Sequence, residues 1–175
     1  YVSPDLFRTC ESLYPCGTPY ETKAGLEGLI RGDVKRARQL LKEAGYNGAP
    51  VVILKPTDLA TIARLPDVAA QQLRLAGFKV EIAAMDWNAV LARRQKKEPP
   101  KQGGWSIFLT TFNGLDLANP VVNPAMNASC DKAWPGWPCD EALEKLRVDF
   151  LRAATDDDKK RVATLAQERA LVIGT

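Results

Sequence analysis

The sequence predicts an α/β fold with a mostly parallel sheet and flanking helices, and three observations support this class. A β-branched apolar run at residues 51–53 has the length of a buried strand. Residues 78–84 alternate apolar with more polar side chains, as a strand with one more exposed face does. A helical pattern at residues 57–76 lies between the two strands. A strand, a helix and a second strand form a βαβ unit, whose strands are almost always parallel.

Two helices of this region have recognisable ends. Apolar side chains recur at helical spacing over residues 34–44, between Asp33, a good N-cap residue, and Gly45, a typical stop signal. In the helical pattern that joins the strands, Pro66 either kinks the helix or opens its main part as the first residue, and Gly77 ends it.

After the second strand, the sequence predicts one more helix and one more strand. Asp86 can cap a helix that runs to about Lys97, before a proline pair and a glycine pair break the chain. Residues 105–112 are rich in aromatic and β-branched side chains and predict a third strand. Ligands of open parallel sheets collect at the carboxyl ends of strands, so the loop that leaves this strand is well placed for binding.

Two further helices are predicted near the end of the chain. Asp140 caps the first, which carries Leu143, Leu146 and Phe150 on one face, and Asp156 caps the second. Residues 1–32, in contrast, are punctuated by proline and glycine and predict an irregular flanking segment.

Composition narrows the class of protein. The 175 residues, with 46% hydrophobic and 26% charged side chains, suit one domain over residues 1–175. A formal charge of +3 is too small for phosphate-dominated binding, so no nucleic-acid partner is expected.

The apolar runs are far shorter than the roughly 20 residues that cross a bilayer. The sequence begins at Tyr1 without a methionine or a leader, which predicts a mature form or an excised piece.

Four cysteines form two local pairs, Cys10 with Cys16 and Cys130 with Cys139. We expect two local disulfides, which favour an oxidising compartment outside the cytoplasm. A zinc site is the rival, but structural zinc sites have closer cysteine spacings or histidines, and the chain has no histidine. Reduced structural thiols remain the third alternative.

The sequence gives little support to an enzyme. Without histidine there is no histidine-based triad or cysteine dyad, and a Cys-x-x-Cys redox motif is absent. Neither a dinucleotide fingerprint nor a phosphate-binding loop occurs. We therefore expect no catalytic residues, no cofactor and no metal.

Several stretches occur in an order that is typical of one family. They are residues 37–46, Ala-Arg-Gln-Leu-Leu-Lys-Glu-Ala-Gly-Tyr; residues 71–80, a helix, a glycine and a strand; residues 86–91, an aromatic-led helix; and residues 116–120, Asp-Leu-Ala-Asn-Pro, with the Cys130 to Cys139 loop beyond. Together they resemble the extracytoplasmic solute-binding proteins of ABC importers, family 5, the group with dipeptide-, oligopeptide- and nickel-binding members.

The resemblance implies a periplasmic-binding-protein-like (type II) lobe, the second, C-terminal lobe of a larger two-lobe protein. Such proteins enclose a peptide or other small-molecule solute by hinge closure and then dock on an ABC permease in the membrane. It implies a periplasmic or extracellular monomer, either free or anchored through a segment that would precede Tyr1. The alternative is a disulfide-stabilised extracytoplasmic interaction module without a small ligand.

The resemblance also implies a role for Asp116, because the first aspartate of this loop pairs with the α-ammonium group in peptide-binding members. The alternative is that Asp116 only makes a turn before Pro120. Asn119 stands where the family often has an acidic residue, and the approach to Asp116 lacks the family's tryptophan.

The remaining candidate ligand-binding residues flank this loop. Phe112 and Asn113 precede Asp116, and Asn119 follows it. Trp134 and Trp137 lie between the second pair of cysteines, where they form either a rim near the cleft or packing on their own lobe.

Overall fold

The computed structural model describes residues 9–27 and 31–173. The chain divides into two compact units: unit 1 comprises Tyr1–Arg31 and Phe112–Thr175, and unit 2 comprises Gly32–Thr111. The expectation of a single domain concerns the whole chain and stays a prediction. The irregular segment predicted for residues 1–32 forms turns and bends where it is described, and residues 1–8 and 28–30 lie outside the described residues.

Unit 2 contains the predicted βαβ unit. Strand β1 (Val51–Pro56) and strand β2 (Val80–Met85) pair in parallel, with Val51 opposite Val80 and Pro56 opposite Met85. The elements of this unit in chain order are helix α1 (Val34–Glu43), β1, helix α2 (Leu65–Ala76), β2 and helix α3 (Trp87–Arg93). The parallel fold class predicted from sequence is confirmed.

In unit 2 the predicted N-caps Asp33 and Asp86 are confirmed, whereas the helical pattern predicted from residue 57 becomes a helix only at Leu65. The Asp33 carboxylate accepts a hydrogen bond from the Arg36 backbone N–H at 2.9 Å, and Asp86 caps α3 in the same way through Ala89. Pro66 opens α2 rather than kinking it, because the residues before Leu65 form turns. Helix α3 ends at Arg93, earlier than the predicted Lys97.

The third strand predicted for residues 105–112 is wrong. Only one bridge forms among these residues, between Ile107 and Ile53. The Ser106 side chain limits the ladder before Ile107, because its Oγ accepts the Val52 backbone N–H at 3.1 Å. A hydroxyl therefore takes a donor that a continuous ladder would give to a backbone carbonyl. Ile107 nevertheless packs against the small core of buried Ile53, Ala70 and Val80.

Unit 1 has little regular structure outside two helices, α4 (Glu141–Arg152) and α5 (Asp156–Ile173). Its core contains Tyr14, Met126, Leu143 and Phe150, together with the small side chains that α5 buries. Three short 3-10 helices lie between Phe112 and α4, at Gly114–Leu117, Pro124–Met126 and Cys130–Lys132.

Of the two N-caps predicted for these helices, one is confirmed and one is wrong. Asp140 caps α4, since its carboxylate accepts the Leu143 backbone N–H at 2.8 Å. The predicted cap of α5 is wrong by one residue. The Thr155 hydroxyl accepts the Asp158 N–H at 3.1 Å, whereas Asp156 is already helical. The Thr155 hydroxyl also donates to Asp158 Oδ2 at 2.8 Å, so two bonds join the cap to the third residue of the helix.

Polar side chains connect distant segments within unit 1. Gln167 on α5 is fully buried and accepts the Leu13 backbone N–H at 2.9 Å. Its amide nitrogen donates to the carbonyl oxygens of Thr22 and Ala24, both at 2.9 Å. These bonds attach residues 12–24 to α5 without any strand pairing. No helix within residues 9–27 and 31–173 has the length and apolar character to span a membrane.

Candidate functional site

The loop around Asp116 is a short 3-10 helix, Gly114–Leu117, closed by two reciprocal bonds. The Asn113 backbone N–H donates to Asp116 Oδ2 at 3.2 Å, and the Asp116 N–H donates to the Asn113 carbonyl oxygen at 3.0 Å. The carboxylate is thus held close to the start of its own helix, as in a helix capping box.

Asp116 is exposed, and so is its neighbour Leu115, at 85%. One oxygen of the Asp116 carboxylate accepts from Asn113, and within the described part of the chain no other bond to this carboxylate is found. The loop therefore presents a negative charge with free acceptor capacity beside an apolar side chain.

Asn119 makes the turn that leads out of this loop. Its side-chain oxygen accepts the backbone N–H groups of Val121 at 2.9 Å and Val122 at 3.2 Å. The turn that contains the buried Pro120 is therefore made by Asn119, whereas Asp116 makes its local bond to Asn113.

An aromatic pair flanks the loop on its N-terminal side. The rings of Phe112 and Trp134 have centroids 5.1 Å apart at an angle of 49°, and both side chains are half-buried. Tilted aromatic pairs of this separation are attractive. Of the predicted site residues, the structure thus brings Phe112, Asn113, Asp116 and Trp134 together.

Trp134 belongs to a loop that is closed by the second disulfide. Cys130 is bonded to Cys139, and the Cys130 backbone N–H donates to the Pro138 carbonyl at 3.0 Å. Within the loop, the Trp137 N–H donates to the Trp134 carbonyl at 2.8 Å.

The backbone of this second loop is strained. Among the described residues, Cys130 (φ 60°) and Trp137 (φ 48°) are the two non-glycine residues with positive φ. Such a conformation costs on the order of 1 kcal/mol or more and persists only where the surrounding structure enforces it. The disulfide and the bonds at the base of the loop provide that enforcement.

The first disulfide loop lies next to the Asp116 loop. Cys10 is bonded to Cys16, and Pro15 lies so close to Gly114 that a side-chain carbon there would meet Pro15 Cγ at 3.7 Å. In the segment that follows the Asp116 loop, the side chain of the buried Asn123 donates to the Leu13 carbonyl at 3.0 Å.

Helix α4 holds the C-terminal side of the loop through Arg147. Its guanidinium donates to the carbonyl oxygens of Pro120 at 3.0 Å and Val121 at 2.9 Å. Glu144 pairs with the same guanidinium at 2.6 Å and also accepts the Ala128 backbone N–H. This half-buried ion pair is a fixed support for the segment that follows the loop.

Sequence reasoning missed these two supports. Pro15 and Arg147 are separated from the loop by long stretches of chain, and neither has a local signal that marks it. Trp105 and Phe108 belong to unit 2, where their rings pack on each other with centroids 5.1 Å apart. In residues 9–27 and 31–173, no group of three potential metal ligands is found.

Asp140 and Tyr14 are two of the four ionisable groups with shifted pKa values among the described residues of unit 1, and the other two are Asp158 and Arg169. The hydrogen bond from Arg169 lowers the pKa of Asp140, and the bond from the Leu143 backbone adds to this effect. Burial raises the pKa of Tyr14, whose hydroxyl donates to the Ala163 carbonyl at 2.7 Å. Both groups stabilise the scaffold rather than the loop.

Comparison with known proteins identifies relatives among transport proteins. The chain is 35% identical to a probable peptide ABC transporter periplasmic-binding protein of Sinorhizobium fredii, over 96% of this chain and 32% of the relative. It therefore spans about a third of the length of that relative.

Solved structures agree on the fold. The substrate-binding protein CtaP of Listeria monocytogenes superposes with a TM-score of 0.74 at 16% identity, over 93% of this chain and 32% of that one. A mannohexaose-bound oligopeptide-binding protein of Thermotoga maritima superposes with a TM-score of 0.68 at 14% identity, over 94% and 34%. The type II periplasmic-binding-protein-like fold is confirmed.

The family follows from the sequence match itself. Residues 9–133 match the model of the bacterial extracellular solute-binding proteins, family 5 Middle. This is a family of solute-binding proteins and not of enzymes, and its description places its members outside the cytoplasm. The chain belongs to family 5 of the bacterial extracellular solute-binding proteins.

Proposed function

We propose that this chain supplies one wall of the ligand cleft in a substrate-binding protein that delivers a solute to an ABC importer. Family membership favours this function over an interaction module without a small ligand. Enclosure between two lobes removes a solute from water on all sides, which explains how such a protein gains affinity. The chain's part in it is the surface around Asp116.

The observation that carries the proposal is the exposed Asp116 carboxylate. One oxygen is anchored by Asn113 at 3.2 Å, so the group keeps its orientation while it retains acceptor capacity. An oriented carboxylate that loses water on closure favours a cationic partner, such as an ammonium group. Leu115, which is 85% exposed, offers apolar surface next to it.

These features favour a solute that carries a cationic group beside an apolar one. A short peptide with a free amino terminus has this chemistry, and the Sinorhizobium fredii relative is named as peptide-binding. The Thermotoga maritima protein holds mannohexaose, so an oligosaccharide is the second class to test. The partners under this proposal are the solute and a membrane permease, and the protein acts as a monomer in the periplasm or at the cell surface.

Isothermal titration calorimetry on the complete protein that contains this chain tests the proposal. The probes are trialanine, N-acetyl-trialanine and mannohexaose. We expect trialanine to bind and Asp116→Asn to weaken it roughly 10- to 100-fold, because a charge-assisted bond contributes more than a neutral one. The acetylated peptide lacks the cation and should bind weakly to both forms.

A matched control is Asp157→Asn, which removes an exposed carboxylate in the first turn of α5. It should leave trialanine affinity unchanged. Equal trialanine affinity in wild type and Asp116→Asn would refute the role of Asp116. If no peptide, oligosaccharide or wider solute library binds, the receptor proposal itself is wrong.

A further inference from the structure

We propose that Trp134 is a positioning residue, which sets the orientation of the Asp116 carboxylate through Phe112 without contacting the solute itself. The inference rests on the proposed function in one respect, namely that Asp116 binds the solute. The coupling from Trp134 to Asp116 is a property of the protein without solute and can be tested separately.

The first step is the contact between the two rings. Trp134 and Phe112 have ring centroids 5.1 Å apart, and both are half-buried. Phe112 is thereby attached to the second disulfide loop, although the two residues are distant in sequence. Loss of the indole would leave Phe112 without this packing surface.

The second step runs along the backbone from Phe112 to Asp116. The N–H that anchors Asp116 Oδ2 belongs to the peptide bond that joins Phe112 to Asn113. A shift of Phe112 therefore moves the donor that orients the carboxylate. The 3-10 helix Gly114–Leu117 is short, and such turns have poor internal hydrogen-bond geometry, so external contacts decide its conformation.

The third step is the rigidity of the loop that carries Trp134. The Cys130 to Cys139 disulfide closes it, and Ser129 pairs with Cys139 in an antiparallel bridge at its base. The Ala133 N–H donates to the Cys130 carbonyl at 2.9 Å, next to Trp134. The Asp140 N–H, where α4 begins, donates to the Ala128 carbonyl at 3.0 Å. The base of the loop that carries Trp134 is therefore tied to the residue that caps α4.

Hydrogen–deuterium exchange on the complete protein without solute is the direct test. In Trp134→Ala, the amides of Asn113 and Asp116 should exchange roughly two- to tenfold faster than in wild type, the range expected for loss of one aromatic pair. Trp134→Phe keeps a ring against Phe112 and should restore most of the protection. Cys130→Ser with Cys139→Ser, which opens the loop, should also accelerate exchange at both amides.

Tyr46→Ala is the matched control. The rings of Tyr46 and Phe78 have centroids 5.2 Å apart, and both residues belong to unit 2. This variant should leave exchange at Asn113 and Asp116 unchanged. Equal exchange in wild type and Trp134→Ala would overturn the inference.

A double-mutant cycle with trialanine then separates positioning from direct contact. If Trp134 acts through Asp116, Trp134→Ala weakens the binding of trialanine to the otherwise wild-type protein. In a protein that already carries Asp116→Asn, the same substitution has little further effect on trialanine affinity. Additive losses would mean that Trp134 contacts the peptide itself, which also overturns the inference. Failure of trialanine to bind any form would count against the proposed peptide ligand, whereas the exchange result would still decide the coupling.

Discussion

The two units of the chain are stabilised by different kinds of interaction. Unit 2 relies on regular hydrogen bonding, since β1 and β2 pair over their full length around the buried Ile53. Unit 1 relies on irregular connections: two disulfides, the buried Gln167 and the Arg147 bonds to backbone carbonyls. The candidate binding residues all lie in unit 1.

This difference shows what each kind of structure can do. A strand commits its backbone groups to a ladder, so little remains to shape a binding surface. A loop held by side chains can present a carboxylate or an apolar side chain at a chosen place, provided that the scaffold fixes it. Unit 1 provides such a scaffold around Asp116.

The largest expected change in the free energy of unfolding comes from the apolar core of unit 2. Ile53 is fully buried and packs against Ala70 and Val80. Ile53→Ala should lower the free energy of unfolding by about 4 kcal/mol, because it removes apolar contacts and leaves a cavity. Urea denaturation measures this change. Val68→Ala, at an exposed position on α2, is the control, and a similar loss in both variants would contradict the proposed core.

The next effect concerns the polar connections of unit 1. Gln167→Leu keeps a side chain of similar size but leaves the Leu13 N–H and the carbonyls of Thr22 and Ala24 without their partner. We expect a loss of about 3 kcal/mol in the free energy of unfolding, since unsatisfied buried polar groups are costly. Urea denaturation again gives the value.

Gln39→Leu on α1 is the control for this substitution, because Gln39 is exposed and bonds only to Glu43 at 2.7 Å in the described structure. It should change the free energy of unfolding little. Wild-type stability in Gln167→Leu would show that unit 1, like unit 2, depends mainly on apolar burial.

The smallest effect is a dependence on pH within unit 1. Arg169 lowers the pKa of Asp140 from its ordinary value of 3.8. A lowered pKa in the folded state means that Asp140 stabilises the fold above about pH 4 and loses this contribution as pH falls through the lowered pKa. Arg169→Met should raise the pKa of Asp140 and reduce this acid-dependent loss.

Titration of the Asp140 carboxyl by NMR measures this shift directly. The matched control is Lys23→Met, which removes an exposed ion pair with Glu11 in the same unit. It should leave the titration of Asp140 unchanged. An unaltered Asp140 pKa in Arg169→Met would show that the backbone bonds from Leu143 and Ala142 account for the whole effect.

The sequence predicts features that depend on near neighbours. The caps Asp33, Asp86 and Asp140 were predicted correctly because a cap bonds to a backbone N–H three residues away. The cap of α5 was misassigned because Thr155 and Asp156 are adjacent and both residue types suit the position. Local patterns therefore place a capped helix start to within about one residue, whereas the end of α3, predicted at about Lys97, lies at Arg93.

Features that depend on distant residues are harder to predict. The third strand was predicted wrongly, and at its start the Ser106 hydroxyl takes the Val52 N–H, a contact that periodicity does not show. The Asp116 loop was predicted as a candidate site from its own residues and a family resemblance. Its supports at Pro15 and Arg147 depend on chain segments that only the folded structure brings together.

Asn119 has one more consequence. Its amide oxygen accepts two backbone N–H groups, and an aspartate of the same shape could accept both in the same way. The loop's geometry and its electric charge are therefore separable properties. With asparagine at this position, Asp116 is the only acidic group between Phe112 and Asn123, so the loop carries a single negative charge. That charge matches one cationic group on a solute. A second negative charge could be added as aspartate at position 119 without a change in the turn.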